Sequence, residues 1–247
     1  MIFREGLWAD ITQKGEDTLK NRIFNDPDSN VDWIKARKFF MDYLGDAISY
    51  FKGKVTDIYS QYNAIQSRID CQVQNLSNET NPDQSTLLTV VSHSLGTVVL
   101  SDYLYDKRES LETKHKLIFS NFFTLGSPIA MYANRFYNHN SPDNPFSNFK
   151  PQKVKDANGI WVNLFDEDDI VGYPIRPVNA YCKSAVAADL NVSVGSILTG
   201  WNPASHTGYW KDEEVGKIIA EKLAIDWLRV NKYDKKDKTL ARIKKYK

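Results

Sequence analysis

The sequence predicts an α/β protein built on a doubly wound, mostly parallel sheet. Residues 87–91 (Leu-Leu-Thr-Val-Val) form a short apolar run, rich in β-branched side chains and bounded by turn residues, which is typical of a strand buried on both faces. A helical pattern separates this run from the next strand candidate, residues 121–125, and strands that alternate with helices favour a parallel sheet. A chain of 247 residues is also long enough to bury a deep core.

The N-terminal third of the chain predicts helices. Residues 3–8 are a candidate strand that leads into a helix at residues 10–24. After a turn, residues 32–51 and 55–76 have apolar side chains three and four positions apart, as helices with one buried face do. We interpret the apolar stripe of residues 55–76 as core rather than as a surface for a partner.

The rest of the chain predicts strands and helices in alternation. Strands are expected at residues 87–91, 121–125, 160–165 and 192–198, and helices at residues 98–105 and 212–230. Asp212, Glu213 and Glu214 favour a helix start there, because carboxylates stabilise the positive end of the helix dipole. Residues 132–159 have no periodicity, and a loop of that length predicts a lid or an insertion.

Composition excludes several classes of protein. Charged residues make up 26 % and aromatic residues 13 % of the chain, which is ordinary for a folded protein and excludes wholesale disorder. No apolar run approaches the roughly 18 residues that span a bilayer, and no signal peptide is visible, so we predict a cytoplasmic protein without stable membrane insertion. With only Cys71 and Cys182, neither a disulfide framework nor a cysteine-based zinc site is expected.

The charge of the chain is unevenly distributed. Residues 231–247 carry eight basic and two acidic side chains, a formal charge of +6, so the rest of the chain has a charge of −5. An acidic body offers nucleic acid no broad electrostatic footprint, and no nucleic-acid partner is predicted. We interpret residues 231–247 as a basic C-terminal tail that follows a domain of residues 1–230.

The most informative segment is residues 90–97, Val-Val-Ser-His-Ser-Leu-Gly-Thr. A predicted strand ends here and a helix begins, so Ser94 would lie at the tip of a sharp turn. Ser92 and Gly96, two positions away on either side, are small enough for strand and helix to approach each other. The N–H group of Leu95, at the helix N-terminus, would face an oxyanion. A serine held in this way is a candidate nucleophile once a base can remove its proton.

Three further segments complete a pattern that resembles the α/β-hydrolase family, in particular its serine lipase and esterase-like members. They are Phe-Thr-Leu-Gly-Ser-Pro at residues 123–128, the acidic cluster at residues 166–169 with Val171, and Ser-His-Thr-Gly-Tyr-Trp at residues 205–210. The resemblance covers about residues 30–230. It implies an α/β-hydrolase fold and a serine hydrolase that cleaves carboxylic esters of small molecules through an acyl-enzyme.

The same resemblance implies the roles of individual residues. Ser94 is the expected nucleophile, His206 the general base and acid, Asp169 the carboxylate that orients His206, and Leu95 the source of an oxyanion N–H. Asp168 is the competing carboxylate, and Asp169 is preferred because Val171 follows it by two positions, as a valine commonly does in the family. No cofactor and no metal are expected, because no His or Cys stands near the acidic cluster.

The other histidines are given structural roles. His93 is expected to pack beside the nucleophile, and His115 and His139 to lie at the surface. The oligomeric state and the choice among ester, thioester and amide substrates stay open, because leaving-group preference depends on pocket shape.

One part of the family pattern is missing from the sequence. The second oxyanion donor normally comes from a loop after an early strand, often with a His-Gly pair, and residues 1–90 contain no histidine. Gly6 is a poor substitute, and we expect the chain to lack the first strand or strands and this loop. Losing one such donor costs about 3–4 kcal/mol in the transition state. The alternative function is therefore a non-catalytic, hydrolase-like binding module or an N-terminally truncated, inactive hydrolase.

Overall fold

The computed structural model describes residues 1–25, 45, 50, 56–133, 149–194 and 203–231. The chain divides into two compact units, Met1–Asp83 and Gln84–Lys247. Three predicted features lie largely or wholly outside the described residues, namely the helix at residues 32–51, most of the lid at residues 132–159 and the basic tail. The prediction of one domain over residues 1–230 stays a prediction.

The first unit contains two long helices that the sequence predicts. Helix α1 spans Asp10–Phe24 and helix α2 spans Thr56–Asn78. Nη1 of Arg68 on α2 lies 3.1 Å from Oδ1 of Asp10, the first residue of α1. The middle of the apolar stripe of α2 is buried, with Ile65 and Ile69 at most 3 % exposed, whereas Val73 and Leu76 are half-buried. The interpretation of the stripe as core therefore holds for its middle part.

The strand expected at residues 3–8 is wrong, because residues 1–8 have no regular secondary structure. Phe3 and Leu7 are exposed, so the apolar side chains that suggested a strand are not buried against a sheet. The carbonyl of Leu7 accepts a hydrogen bond from the side chain of Gln72 (3.2 Å).

The second unit is built on a four-stranded, all-parallel sheet, which confirms the α/β class. Its strands are β1 (Thr86–His93), β2 (Leu117–Leu125), β3 (Ile160–Phe165) and β4 (Ala188–Asn191), and they lie in the order β1-β2-β3-β4. The helices of this unit are α3 (Leu95–Asp106), α4 (Arg108–Thr113), α5 (Ile129–Tyr132), α6 (Ala180–Ala185), α7 (Pro203–Gly208) and α8 (Glu213–Val230). Helix α8 begins after Asp212, whose carboxylate accepts the N–H of Val215, so the predicted helix start is confirmed.

Both faces of the central strands are buried. One face contributes Phe123, Leu125, Val162 and Leu164 to a core cluster that includes Val215 of α8. The other face carries an aromatic cluster of Phe119, Phe122, Phe149 and Trp161. This two-sided burial explains why β2 and β3 are mainly apolar in sequence and do not alternate between apolar and polar residues.

The fourth strand lies earlier than predicted. It was expected at residues 192–198, and it ends instead at Asn191, with residues 195–198 outside the described part of the chain. The Ala-Asp-Leu-Asn sequence of β4 contains residues that are depleted in strands. Asp189 is tolerated there because its carboxylate accepts hydrogen bonds from the side chain of Asn163 and from the N–H groups of Ile175 and Arg176.

His115 also departs from its predicted place. It is 1 % exposed, between α4 and β2, although its neighbours in sequence are charged. His139 lies outside the described residues.

Among the helices that the structure describes, none combines the length and the apolar character needed to cross a bilayer.

Candidate active site

Ser94 occupies a strained turn between β1 and α3. Its φ of 53° and ψ of −136° are rarely adopted by residues with a side chain, and such a conformation costs about 1–3 kcal/mol. The turn is held by its backbone, because the N–H of Ser94 donates to the carbonyl of Leu125 (3.0 Å) and its carbonyl accepts from Thr97. The Ser94 side chain makes no capping bond to α3, which leaves its hydroxyl for another partner.

That partner is His206, the histidine that the sequence analysis selects. Oγ of Ser94 lies 2.7 Å from Nε2 of His206. On the other side of the ring, Nδ1 lies 3.0 Å from each carboxylate oxygen of Asp169. A carboxylate only accepts hydrogen bonds, so the proton of neutral His206 is on Nδ1 and Nε2 is an acceptor for the Ser94 hydroxyl.

Asp169 is a fully buried carboxylate with several donors. Oδ1 accepts the N–H of Val171 (3.0 Å), and Oδ2 accepts the hydroxyl of Tyr209 (2.9 Å), in addition to the bond from His206. Burial alone would raise the pKa of the Asp169 carboxyl. The hydrogen bonds from His206, Val171 and Tyr209, with the charge of a protonated His206, outweigh burial and lower this pKa below its usual value.

The rest of the acidic cluster has other environments. Asp168 is exposed, so it is Asp169 and not Asp168 that the structure brings to His206. Asp166 is buried, and its carboxylate accepts the N–H groups of Asp168 (2.8 Å) and Val194 (2.7 Å). It therefore organises the loop that carries Asp169 rather than facing the serine.

Leu95 is the first residue of α3. Its N–H belongs to the first helical turn, where N–H groups have no acceptor within the helix and form the positive end of the helix dipole. The position expected for an oxyanion donor beside Ser94 is therefore occupied by a helix N-terminus.

Among the described residues, no group of three or more His, Cys, Asp or Glu side chains is arranged to hold a metal ion.

The sheet explains how residues so distant in sequence meet. Ser94, Asp169 and His206 follow β1, β3 and β4 respectively. The carboxyl ends of parallel strands lie at one edge of a sheet, so the segments that follow them converge there.

Tyr209 is a site residue whose role the sequence does not predict. Besides donating to Asp169, its oxygen accepts the N–H of Asp166 (2.9 Å), and its side chain is 1 % exposed. Burial raises its pKa, and the charge of Asp169 together with the hydrogen bond to it raises it further, so Tyr209 stays a donor at all ordinary pH values. The Tyr-Trp pair after His206 was its one signal in the sequence.

Two glycines lie against the Asp169 carboxylate. Gly126, which follows β2 with a φ of +52°, would place a Cβ 2.7 Å from Oδ2 of Asp169 and 2.8 Å from the ring of Tyr209. A Cβ on Gly172 would lie 2.8 Å from the same Oδ2. All three distances are below 3.0 Å, a separation that Cβ atoms essentially never show, so a side chain at either position would displace the buried carboxylate.

Comparisons of the chain with protein-family models, with curated proteins and with solved structures found no match. The likeness to α/β-hydrolases therefore stays a proposal, supported by the motifs of the sequence and by the geometry described above.

Proposed function

We propose that this protein is a serine hydrolase that cleaves carboxylic esters through an acyl-enzyme on Ser94. The observation that carries the proposal is the continuous hydrogen-bonded chain from Ser94 Oγ to His206 Nε2 (2.7 Å) and from His206 Nδ1 to Asp169 (3.0 Å). A nucleophile, a base within hydrogen-bond reach and an acid that orients the base are the three parts that acyl transfer needs.

In the first half of the reaction, Oγ of Ser94 attacks the ester carbonyl carbon while its proton passes to Nε2 of His206. The carboxylate of Asp169 stabilises the imidazolium that results. The carbonyl oxygen becomes an oxyanion, and in this proposal the oxyanion accepts a hydrogen bond from the N–H of Leu95. When the tetrahedral intermediate collapses, the C–O bond to the leaving alcohol breaks and His206 returns the proton to that alcohol oxygen.

In the second half, water replaces the alcohol. His206 removes a proton from water as the water oxygen attacks the acyl carbon. Collapse of this second intermediate breaks the bond to Oγ, and Nε2 returns the proton to Ser94. The acid product leaves and the site regains its starting protonation, so no cofactor is consumed.

The α/β-hydrolase fold is part of the same proposal. The nucleophile, the acid and the histidine come in that order along the chain, each after a strand of a parallel sheet, as they do in that family. The strained φ of Ser94 supports it further, because the nucleophile of these enzymes lies on a sharp strand-to-helix turn.

A fluorophosphonate probe tests the proposal without knowledge of the natural substrate. An activated Ser94 displaces fluoride from the probe's phosphorus, and intact mass reports one adduct per chain. Ser94→Ala should abolish labelling. Ser92→Ala is the matched control, because this serine stands two positions earlier, is buried, and has a hydroxyl without a hydrogen-bond partner among the residues that the structure describes.

The outcomes separate the proposal from its alternative. Labelling of the wild type and of Ser92→Ala, together with no labelling of Ser94→Ala, supports a serine hydrolase. A folded wild type that neither labels nor hydrolyses short-chain and long-chain p-nitrophenyl esters contradicts it and leaves the non-catalytic binding module. Equal labelling of wild type and Ser94→Ala would assign the reaction to another residue.

A further inference from the structure

His93 makes contacts to His206 that the acyl-transfer scheme does not use. Nε2 of His93 lies 2.5 Å from the backbone carbonyl oxygen of His206. The two rings are 4.7 Å apart at their centroids and inclined at 39°, so the His93 ring packs beside the His206 imidazole. The ring centroids of Tyr209 and Trp210 lie 5.8 Å and 6.2 Å from that of His93.

The hydrogen bond fixes the tautomer of His93. A carbonyl oxygen can only accept, so Nε2 of His93 carries the proton and donates. The pKa of the His93 imidazole is lowered to about 4, first by burial and then by the charge of a protonated His206, whereas the hydrogen bond to the carbonyl and the charge of Asp169 oppose this shift. His93 is therefore neutral near pH 7.

We propose that His93 is a positioning residue of the Ser94 site, which holds the backbone of His206 through its Nε2–H group. The inference rests on the proposed function. His93 directly precedes Ser94 at the end of β1, so one hydrogen bond ties the strand of the nucleophile to the main chain of the base. Asp169 holds the ring of His206 at Nδ1, and His93 holds its backbone, so the base is fixed at two points relative to Oγ.

Two features make this contact suited to the role. First, the neutral imidazole of His93 adds no second positive charge beside the imidazolium that His206 becomes during the reaction. Second, the hydrogen bond from His93 fixes the distance between His206 and Ser94, and a displacement of about 1 Å between reacting groups can cost about 100-fold in rate. A phenylalanine at this position would keep a packed ring but leave the His206 carbonyl without its donor.

Two substitutions separate the hydrogen bond from the ring. The amide nitrogen of Gln reaches about as far as Nε2, so His93→Gln retains a donor without an aromatic ring, and His93→Phe retains a ring without a donor. The rate constant for fluorophosphonate labelling should stay within about threefold of wild type in His93→Gln and fall about tenfold or more in His93→Phe. With p-nitrophenyl acetate, the fall in His93→Phe should appear in kcat with little change in KM.

The matched control is His115→Gln, a substitution at a buried histidine between α4 and β2. It measures what the loss of a buried imidazole does to the fold alone, and its labelling rate should equal that of the wild type. Thermal unfolding of all variants identifies any that fail to fold. Ring-¹⁵N spectra of the wild type read the contact without any substitution, and should show one histidine with its proton on Nε2 that titrates near pH 4.

The outcomes keep the two proposals apart. A folded wild type that does not label contradicts the proposed function and this inference with it. A wild type that labels, with His93→Phe as fast as wild type, overturns the inference alone. Equal losses in His93→Gln and His93→Phe also overturn it, because they would assign the effect to the packing of the imidazole. The absence of a histidine protonated at Nε2 near neutral pH would do the same.

Discussion

Tyr209 donates its hydroxyl hydrogen to Oδ2 of Asp169 over 2.9 Å, and the same hydroxyl oxygen accepts the N–H of Asp166. One buried phenol thus holds both the proposed triad carboxylate and the start of the loop that carries it. Hydrogen bonds to a charged acceptor are stronger than those between neutral groups, and each contributes about 1.5–3 kcal/mol to the free energy of unfolding.

Removal of this hydroxyl should weaken both stability and activity. In Tyr209→Phe the ring still fills its place, but Asp169 loses a donor and the N–H of Asp166 loses its acceptor. We expect the free energy of unfolding to fall by about 1.5–3 kcal/mol, and the labelling rate constant to fall about tenfold as Asp169 loses its orientation. Urea unfolding and probe labelling measure the two effects. Tyr105→Phe, at an exposed tyrosine of α3, is the control and should change neither.

The two neighbouring carboxylates should respond very differently to amidation. Asp169→Asn presents His206 with an amide that can donate to Nδ1 and so favour the wrong tautomer, and this change lowers kcat about 10⁴-fold in the serine protease triad. Asp168→Asn alters an exposed side chain and should leave the rate unchanged. Steady-state hydrolysis of p-nitrophenyl acetate compares the two. A larger loss in Asp168→Asn would reverse their assigned roles.

Asp169 should also contribute to the acid sensitivity of the fold. Its folded-state pKa lies below the ordinary value of 3.8, so between these two values the unfolded chain binds more protons than the folded one. The stabilisation is present above the ordinary value and is lost as the pH falls through the folded-state pKa. The free energy of unfolding should therefore drop between about pH 5 and pH 3 more steeply in wild type and Asp168→Asn than in Asp169→Asn. Parallel pH profiles in urea for all three proteins would contradict this.

The sequence is sufficient to predict those parts of the fold where local pattern and burial agree. The strand at residues 160–165 was predicted at the bounds that the structure gives it, because its apolar run is buried on both faces. Strand β4 was missed because Asp189 breaks the apolar pattern, and the donors that compensate this carboxylate come from other segments of the chain. His115 was misplaced for a similar reason, since charged neighbours in sequence do not report on its buried environment in the fold.

The residues of the candidate site likewise fall into those that a sequence motif marks and those whose partners depend on the fold. Ser94, Asp169 and His206 could be selected because a motif marks each of them, and the structure brings them within hydrogen-bond distance, while their catalytic roles stay predictions. Tyr209 and His93 could not be assigned partners from sequence. Their hydrogen bonds join residues 40 and 113 positions apart, and depend on how the strand ends converge.

Gly126 should be among the least replaceable residues of the second unit. In Gly126→Ala the new methyl group meets Asp169, Tyr209 and, at 3.3 Å, Nδ1 of His206, and the residue must also adopt a positive φ. Strain of this kind costs about 1–3 kcal/mol for the backbone alone, and displacement of the carboxylate should lower the labelling rate by about 100-fold.

The control for this substitution is Gly216→Ala on α8, where a Cβ would meet no atom within 4 Å. Alanine there should stabilise the protein by about 0.5–1 kcal/mol, because glycine is a poor residue inside a helix. Thermal unfolding and labelling of both variants give the comparison. Wild-type labelling in Gly126→Ala would mean that the Asp169 carboxylate can move without loss of activity.

A buried ion pair lies on α8, outside the Ser94 site. Nζ of Lys222 donates to Oδ1 of Asp226, Asn121 donates to Oδ2 of the same carboxylate (2.7 Å), and both charged residues are 3 % exposed. Burial lowers the pKa of the Lys222 ammonium even though Asp226 opposes this shift. Removing one partner leaves the other charge buried and uncompensated, so Lys222→Met and Asp226→Leu should each cost about 3–5 kcal/mol.

The double substitution should cost less than either single one. Lys222→Met/Asp226→Leu removes both charges and replaces them with apolar side chains of similar size, which is often neutral or better for stability, and Asn121 keeps a second acceptor in Thr89 (2.9 Å). Urea midpoints of the wild type, the two single variants and the double variant form a complete double-mutant cycle. Lys217→Met, at an exposed lysine of the same helix, is the control and should change the free energy of unfolding by less than about 0.5 kcal/mol. Additive losses in the double variant would show that the two charges do not compensate each other, and that each is stabilised by its remaining neighbours instead.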